Sequence, residues 1–273
     1  MSTYLAFWVG GGMIGLGAAV WVLRRRDALG AASLGGLAVA AVAFAYGAKV
    51  QHRLAYMRVT DALVVPPADL LLPGRRLPFG LVLGLAAALA WCRLAGARWR
   101  ATGDALAVAA AVMQVVGRIG CFVSGCCAGT LSALPWAVRY GPNSEAWMLQ
   151  RSAGVLPDGA SLTLPVHPLP LYFSLASLVL LSTLVALLRR GAPPGSLLLA
   201  AVVADPCVRL ALEGLRGGLP GVDWAPMLTT IRAWIALDVV VLTALVAARL
   251  RRRNRSGASV RLGAVSTCEG GTS

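Results

Sequence analysis

Long apolar stretches recur along the chain and constrain its fold more than any other feature. A helix needs roughly 20 predominantly apolar residues to cross a bilayer. Only 13% of the 273 residues are charged, against about a quarter in soluble domains. Lipid cannot satisfy free backbone groups, and no long alternating pattern indicates a barrel, so the stretches are predicted to be helices. The sequence therefore predicts an all-α, polytopic membrane protein.

Seven stretches qualify as transmembrane helices, at residues 4–23, 31–48, 78–94, 104–122, 169–188, 196–212 and 233–250. Tight arginine groups follow the first, third, fifth and seventh of them, beginning with Arg24, Arg25 and Arg26. Basic residues at helix ends favour the cytoplasmic side, which puts the N-terminus outside and the C-terminus in the cytoplasm. The first stretch has no charge before it and three arginines after it, so it is predicted to be a retained helix.

The chain is predicted to form a single seven-helix membrane domain over residues 1–255. The long connection at 128–168, between the fourth and fifth predicted spans, is interpreted as a small outer cap, because loops of this length are usually functional or disordered. Residues 256–273 are rich in Gly and Ser and are predicted to be a disordered cytoplasmic tail. The net charge of +14 lies mostly in clusters between apolar stretches, which argues against nucleic-acid binding.

Three arginines and a glutamate near the predicted outer face form the first candidate site. In "DPCVRLALEGLRGG", Arg209, Glu213 and Arg216 are spaced i, i+4 and i+7, which places them on one face of a helix. One interpretation is a ladder of interfacial side chains that snorkel to water. The other is an anion site in which Glu213 orients two guanidiniums, whose forks match a phosphate. Arg118, in "GRIGCFVSGCCAG", is either a third phosphate contact or a snorkelling residue.

Two further polar positions have competing interpretations. His167 and Tyr172 lie in "VHPLPLY", where the chain re-enters the membrane after the cap. His167 is a candidate acid or base, because its ordinary pKa is near neutrality, or a structural capping residue. Asp104 begins the fourth predicted span and is interpreted as the N-cap of that helix.

Cys121, Cys126 and Cys127 have the spacing C-x4-C-C. Zinc sites usually pair one short Cys element with a second, and no second element is evident, so we expect neither a metal nor a cofactor. A disulfide or thiol redox chemistry is an alternative on an oxidising outer face. Packing of small buried residues where helices approach is the favoured interpretation.

The order of the motifs "GRIGCFVSGCCAG", "PWAV", "VHPLPLY" and "RLALEGLR" resembles the prolipoprotein diacylglyceryl transferase family, whose patterns are GRIGNFINGELYG, HP-S-Q-LYE and R-F-x-V-E-F-x-R. The likeness runs from the first predicted span to about residue 234 and is strongest at 104–216. The matching positions are Gly117, Arg118, Gly120, Phe122, Gly125, Gly129, His167, Pro168, Leu171, Tyr172, Arg209, Glu213 and Arg216.

The resemblance implies transfer of diacylglyceryl from phosphatidylglycerol, or a similar anionic phospholipid, to the lipobox cysteine of a prolipoprotein in the bacterial inner membrane. It implies that Arg118, Arg209 and Arg216 bind the lipid phosphate, with Gly117 and Tyr172 also at the substrate. Glu213 would orient the arginines, and His167 is the candidate base.

The chain departs from the family pattern at several polar positions. Cys121, Ser124 and Cys126 replace Asn, Asn and Glu, and residues 78–84, "PFGLVLG", lack a family histidine. Pro170 and Phe173 stand where the second pattern has Gln and Glu. A non-catalytic lipid-binding protein with the same fold is therefore the alternative function.

Overall fold

Helices make up nearly all of the regular structure in the described part of the chain. The computed structural model describes residues 2–54, 59–67, 69 and 77–216. The helices are α1 (Ser2–Arg25), α2 (Ala31–Arg53), α3 (Val59–Leu63), α4 (Leu77–Leu94), α5 (Trp99–Val123), α6 (Glu145–Ser152), α7 (Leu169–Arg189) and α8 (Ser196–Glu213). Two isolated antiparallel bridges join Val166 to Leu131 and to Val138, and no longer strand forms within these residues.

Six of the seven predicted spans coincide with helices, namely α1, α2, α4, α5, α7 and α8. Four of these, α1, α2, α5 and α7, are long and apolar enough to cross a bilayer, and α4 contains a shorter apolar stretch. Large apolar side chains such as Met13, Val42 and Leu175 are exposed on them, as lipid contact requires. The all-helical membrane fold is confirmed. The seventh span at 233–250 and the tail lie outside the described residues, so the count of seven and the orientation stay predictions.

Close packing of α1 against α5 depends on two glycines. A Cβ on Gly15 would lie 2.9 Å from the carbonyl oxygen of Ala109, and one on Gly11 would lie 3.1 Å from Cβ of Val116. The GxxxG spacing in α1 therefore permits backbone contact between the two helices, as small-xxx-small pairs do in membranes. This packing fixes the position of α5, whose last two turns carry Arg118 and Cys121.

Asp104 has a different role from the predicted one. The helix α5 begins at Trp99, with Arg98 at its N-cap, so Asp104 lies one turn inside it. Its fully buried carboxylate accepts hydrogen bonds from Gly195 N at 2.9 Å and Leu198 N at 3.0 Å, and forms a salt bridge with Arg26 at 2.9 Å. Asp104 therefore accepts hydrogen bonds from free amides at the start of α8, a helix that packs beside its own helix α5.

The connection between α5 and α7 is a folded cap built around α6, and we call residues 124–168 the cap. Within it, Tyr140 N donates to Oγ1 of Thr163 at 2.9 Å, and Leu164 N donates to Oε1 of the buried Gln150 at 2.8 Å. The cap is also tied to the end of α8, because Thr130 N donates to the carbonyl oxygen of Leu215 at 2.9 Å. The cap thus bridges the ends of α5, α7 and α8, where the candidate site residues lie.

Candidate functional site

The last turn of α5 ends in a Schellman motif that brings two cysteines together. Gly125 takes the left-handed conformation with φ 64° and donates to the carbonyl oxygen of Phe122, and Cys126 N donates to that of Cys121 at 3.1 Å. In this motif the residue two beyond the cap contacts the third residue from the helix end. The C-x4-C spacing around Gly125 therefore places Cys121 and Cys126 next to each other.

The third thiol completes a compact cluster. Cys127 has φ 57°, an uncommon conformation for a residue with a side chain. The sulfur atoms of Cys121, Cys126 and Cys127 all lie within 4.8 Å of one another, and the three thiols are free. Cys121 is buried, Cys126 is half-buried and Cys127 is exposed, so the cluster opens to the surface on one side.

Contacts among the three thiols and with nearby arginines shift the pKa values in this cluster. The pKa of Cys127 is lowered, first by hydrogen bonds from Cys121 and Cys126 and then by the charges of Arg118 and Arg216. The pKa of Cys126 is raised by its hydrogen bonds to the other two thiols and by burial. Burial and the nearby cysteines also raise the pKa of the Tyr140 phenol to about 12. The arginines and the thiols therefore belong to one electrostatic site.

Arg118 is almost fully buried, with 5% of its surface exposed. Its guanidinium carbon lies 4.6 Å from the centroid of the Phe173 ring. The buried Nε has no hydrogen-bond partner, and no carboxylate among the described side chains forms an ion pair with Arg118. A desolvated guanidinium whose buried Nε–H is unused favours an anion as its partner.

Arg216 approaches the same aromatic ring. Its guanidinium carbon lies 5.6 Å from the Phe173 centroid. The prediction that Arg216 continues the face of α8 is wrong, because α8 ends at Glu213 and Arg216 follows a turn. That turn allows the side chain to reach Phe173 on α7. The structure thus brings Arg118 and Arg216 together over a phenylalanine, at a position where the family pattern has a glutamate.

Arg209 has a different acidic partner from the predicted one within the described side chains. Its Nε donates to Oδ2 of Asp205 at 2.6 Å, one turn earlier on α8. The other oxygen of Asp205 accepts from Nε2 of Gln114 at 3.4 Å. Gln114 lies one turn before Arg118 on α5. The hydrogen-bonded group of Gln114, Asp205 and Arg209 is therefore about one helical turn from Arg118 along α5. The Glu213 side chain lies outside the described residues, so its orienting role stays a prediction.

His167 is oriented by a chain of aromatic hydrogen bonds. The indole N–H of Trp136 donates to the hydroxyl of Tyr172 at 2.7 Å, and that hydroxyl lies 3.2 Å from Nδ1 of His167. The backbone of His167 is held by Gly129 and Thr130 at 3.0 Å each. His167 and Tyr172 are therefore adjacent. The contact with Tyr172 occupies Nδ1 of His167, and the other ring nitrogen, Nε2, is not part of that contact.

Gly117 lies against the first helix. A Cβ there would meet the indole ring of Trp8 at 2.9 Å. This contact gives Gly117 a packing function, and a role at the substrate stays a prediction.

Three residues of this region were not identified from the sequence. Asp205 was within the quoted motif but has the same four-residue spacing from Arg209 as Glu213, so spacing did not distinguish them. Phe173 is recognisable only from its contacts with the two arginines. Trp136 is recognisable only from its hydrogen bond to Tyr172. For the cysteines, Gly125 followed by Cys126 after an apolar helix was an available Schellman signal.

The fold and the site together define the class of protein to which this chain belongs. A multi-pass membrane protein has a buried arginine, a second arginine and a thiol cluster gathered where two of its helices meet a folded cap. This chain belongs to the prolipoprotein diacylglyceryl transferase family, whose model matches residues 78–249. The family is one of transferases in lipoprotein biogenesis, which confirms the resemblance seen in the motifs. No curated protein matches the chain significantly.

Proposed function

We propose that the protein transfers diacylglyceryl from phosphatidylglycerol, or a similar anionic phospholipid, to the lipobox cysteine thiol of prolipoproteins in the bacterial inner membrane. The observation that carries this proposal is the pair Arg118 and Arg216 on the Phe173 ring. In that pair the buried Nε of Arg118 has no hydrogen-bond partner. Such a site suits a lipid phosphate that arrives from the bilayer beside the cap.

The reaction replaces a phosphate ester bond with a thioether. The acceptor sulfur attacks the glyceryl carbon that bears the phosphate, the carbon–oxygen bond breaks, and glycerol 1-phosphate leaves with the electron pair. Negative charge therefore grows on the phosphate in the transition state. Positioned donors that meet growing charge in a water-poor site lower the barrier most, and Arg118 and Arg216 have this role in the proposal.

The remaining residues support the two reactants. Arg209 is proposed to give the phosphate a third guanidinium contact, with Asp205 holding its Nε at 2.6 Å. Glu213 is proposed to orient the arginines. His167, oriented by Tyr172, is the candidate acceptor for the thiol proton.

The test is lipidation of a lipobox peptide by the purified protein in phosphatidylglycerol vesicles. Arg118→Gln keeps most of the side-chain volume and removes the charge, and we expect a loss of about 100-fold or more in rate, as for removal of one transition-state donor. Arg151→Gln is the matched control, because Arg151 also contacts an aromatic ring, that of Trp147, but lies on the cap helix. It should retain the wild-type rate.

Complementation of a transferase-depleted bacterial cell tests the same proposal in vivo. Growth supports the enzyme. A well-expressed protein that neither restores growth nor lipidates the peptide would support the non-catalytic alternative. Equal rates for Arg118→Gln and wild type would refute the phosphate site even if the protein is active.

A further inference from the structure

The thiol cluster has the composition of a catalytic zinc site. Catalytic zinc ions have three protein ligands and a fourth position for water or substrate. Cys121, Cys126 and Cys127 supply three sulfurs within 4.8 Å of one another. Among the described residues no fourth His, Cys, Asp or Glu joins them.

We propose that Cys121, Cys126 and Cys127 bind a zinc ion whose open position takes the acceptor cysteine as a thiolate. This inference rests on the proposed function, since it assigns the step that prepares the acceptor thiol. It differs from the expectation drawn from the sequence, which required a second Cys element. The Schellman turn provides two ligands and the left-handed Cys127 provides the third within seven residues.

The geometry fits a tetrahedral ion. Zinc–sulfur bonds of about 2.3 Å place the sulfurs of a tetrahedral site roughly 3.8 Å apart, so the cluster needs to contract by about 1 Å at most from its 4.8 Å limit. Cys127 is exposed while Cys121 is buried. The cluster therefore has an exposed side, and the proposal places the acceptor peptide there.

The charges also fit this assignment. A zinc ion with three thiolates has one net negative charge, and an acceptor thiolate would add a second. Arg118 lies three residues before Cys121 on the same face of α5, and Arg216 shares the Phe173 ring with Arg118, so two positive charges lie beside the loaded site and compensate its charge. The same guanidiniums then lie between the acceptor thiolate and the phosphate in the proposed reaction.

The chemistry needs a thiolate, because the thiol form is a poor nucleophile. A thiol that coordinates zinc is deprotonated outright, and the proton leaves to His167 or to water. The sulfur then attacks the glyceryl carbon, its electron pair forms the carbon–sulfur bond, and the phosphate oxygen keeps the pair of the broken bond. The thioether product is neutral and binds zinc weakly, so it is released. No oxidant or reductant is consumed.

Metal binding is tested with zinc alone. The full chain is purified in detergent, stripped with a chelator, loaded with Zn²⁺, passed through a desalting column and analysed by mass spectrometry for metal and protein. We expect one zinc per chain in the wild type and in the control Cys207→Ser, whose thiol is exposed on α8. Cys126→Ser and Cys127→Ser should each retain at least about tenfold less zinc per chain. The exposed Cys127 gives a variant that folds even if Cys126→Ser does not.

Thiol activation is tested with Co²⁺ in place of zinc. Cobalt–thiolate charge-transfer absorption should appear on loading and increase when a lipobox peptide with cysteine is added, but not with the serine peptide. Absence of metal binding, or a disulfide among the three cysteines in the isolated protein, would overturn the proposal. Metal binding without a response to the cysteine peptide would overturn thiol activation. Because no phospholipid is present, a protein that passes both tests but transfers no lipid would refute only the proposed function.

Discussion

Replacing Asp104 should destabilise the protein more than replacing any exposed carboxylate. Asp104→Ala removes the buried acceptor shared by Arg26 and by Gly195 N and Leu198 N of α8. Breaking a buried ion pair by removing one partner costs about 3–5 kcal/mol, because the other charge stays buried. The Arg26 side chain is 8% exposed and the Asp104 side chain 0%, so solvent offers little compensation. We therefore expect a loss of about 3–5 kcal/mol.

The assay is unfolding in mixed micelles of sodium dodecyl sulfate and a mild detergent, followed by helical circular dichroism. Asp158→Ala is the control, because Asp158 is exposed on the cap, and it should change the free energy of unfolding by less than about 0.5 kcal/mol. Asp104→Asn keeps one acceptor oxygen and should lie between the two. In a double-mutant cycle with Arg26→Ala, the coupling should reach about 0.5–3 kcal/mol.

Two results would each contradict part of this reasoning. If Asp104→Ala unfolds with the same free energy as Asp158→Ala, the carboxylate does not hold the start of α8. Additive effects of Asp104→Ala and Arg26→Ala would instead show that the two side chains are not coupled.

Two glycine substitutions test the contacts that position the site. Gly15→Ala should destabilise the protein by about 1–3 kcal/mol in the same unfolding assay, because its Cβ would lie 2.9 Å from a backbone oxygen of α5. The control Gly12→Ala has open space around it and should be neutral or stabilising by up to about 1 kcal/mol. Equal effects of the two substitutions would contradict the close packing of α1 on α5. Gly129→Ala should lower lipidation, because its Cβ would lie 2.8 Å from the Leu215 oxygen and displace the cap from α8. Gly141→Ala has no such contact and should retain the rate, so loss in both would point to a general effect on the cap.

The spans were predictable because their information is local. An apolar stretch of bilayer length determines a helix by its own composition, and the GxxxG pair in α1 determines where a neighbour can approach. The motifs likewise named His167 and Tyr172, whose side chains are adjacent in the structure. The short helices α3 and α6 were missed because they carry no long apolar pattern.

Partners across the bundle were not predictable in the same way. Asp104 and the amides of α8 are about 90 residues apart in sequence. The residues around Asp104 do not show whether its carboxylate caps α5 or the start of a different helix. Arg209 has a carboxylate four residues away on each side, Asp205 and Glu213, and local spacing treats them alike. The tertiary packing of the helices determines which partner each of these side chains has.

The helix α8 is held by hydrogen bonds at both ends and lacks one backbone hydrogen bond near its middle. Asp104 holds its first amides, and Thr130 of the cap holds the carbonyl of Leu215 just beyond its last turn. Between them Pro206 lacks the N–H that would close the hydrogen bond to residue 202. Because its two ends are held by hydrogen bonds, we expect α8 to bend at Pro206 more readily than it moves along its own axis.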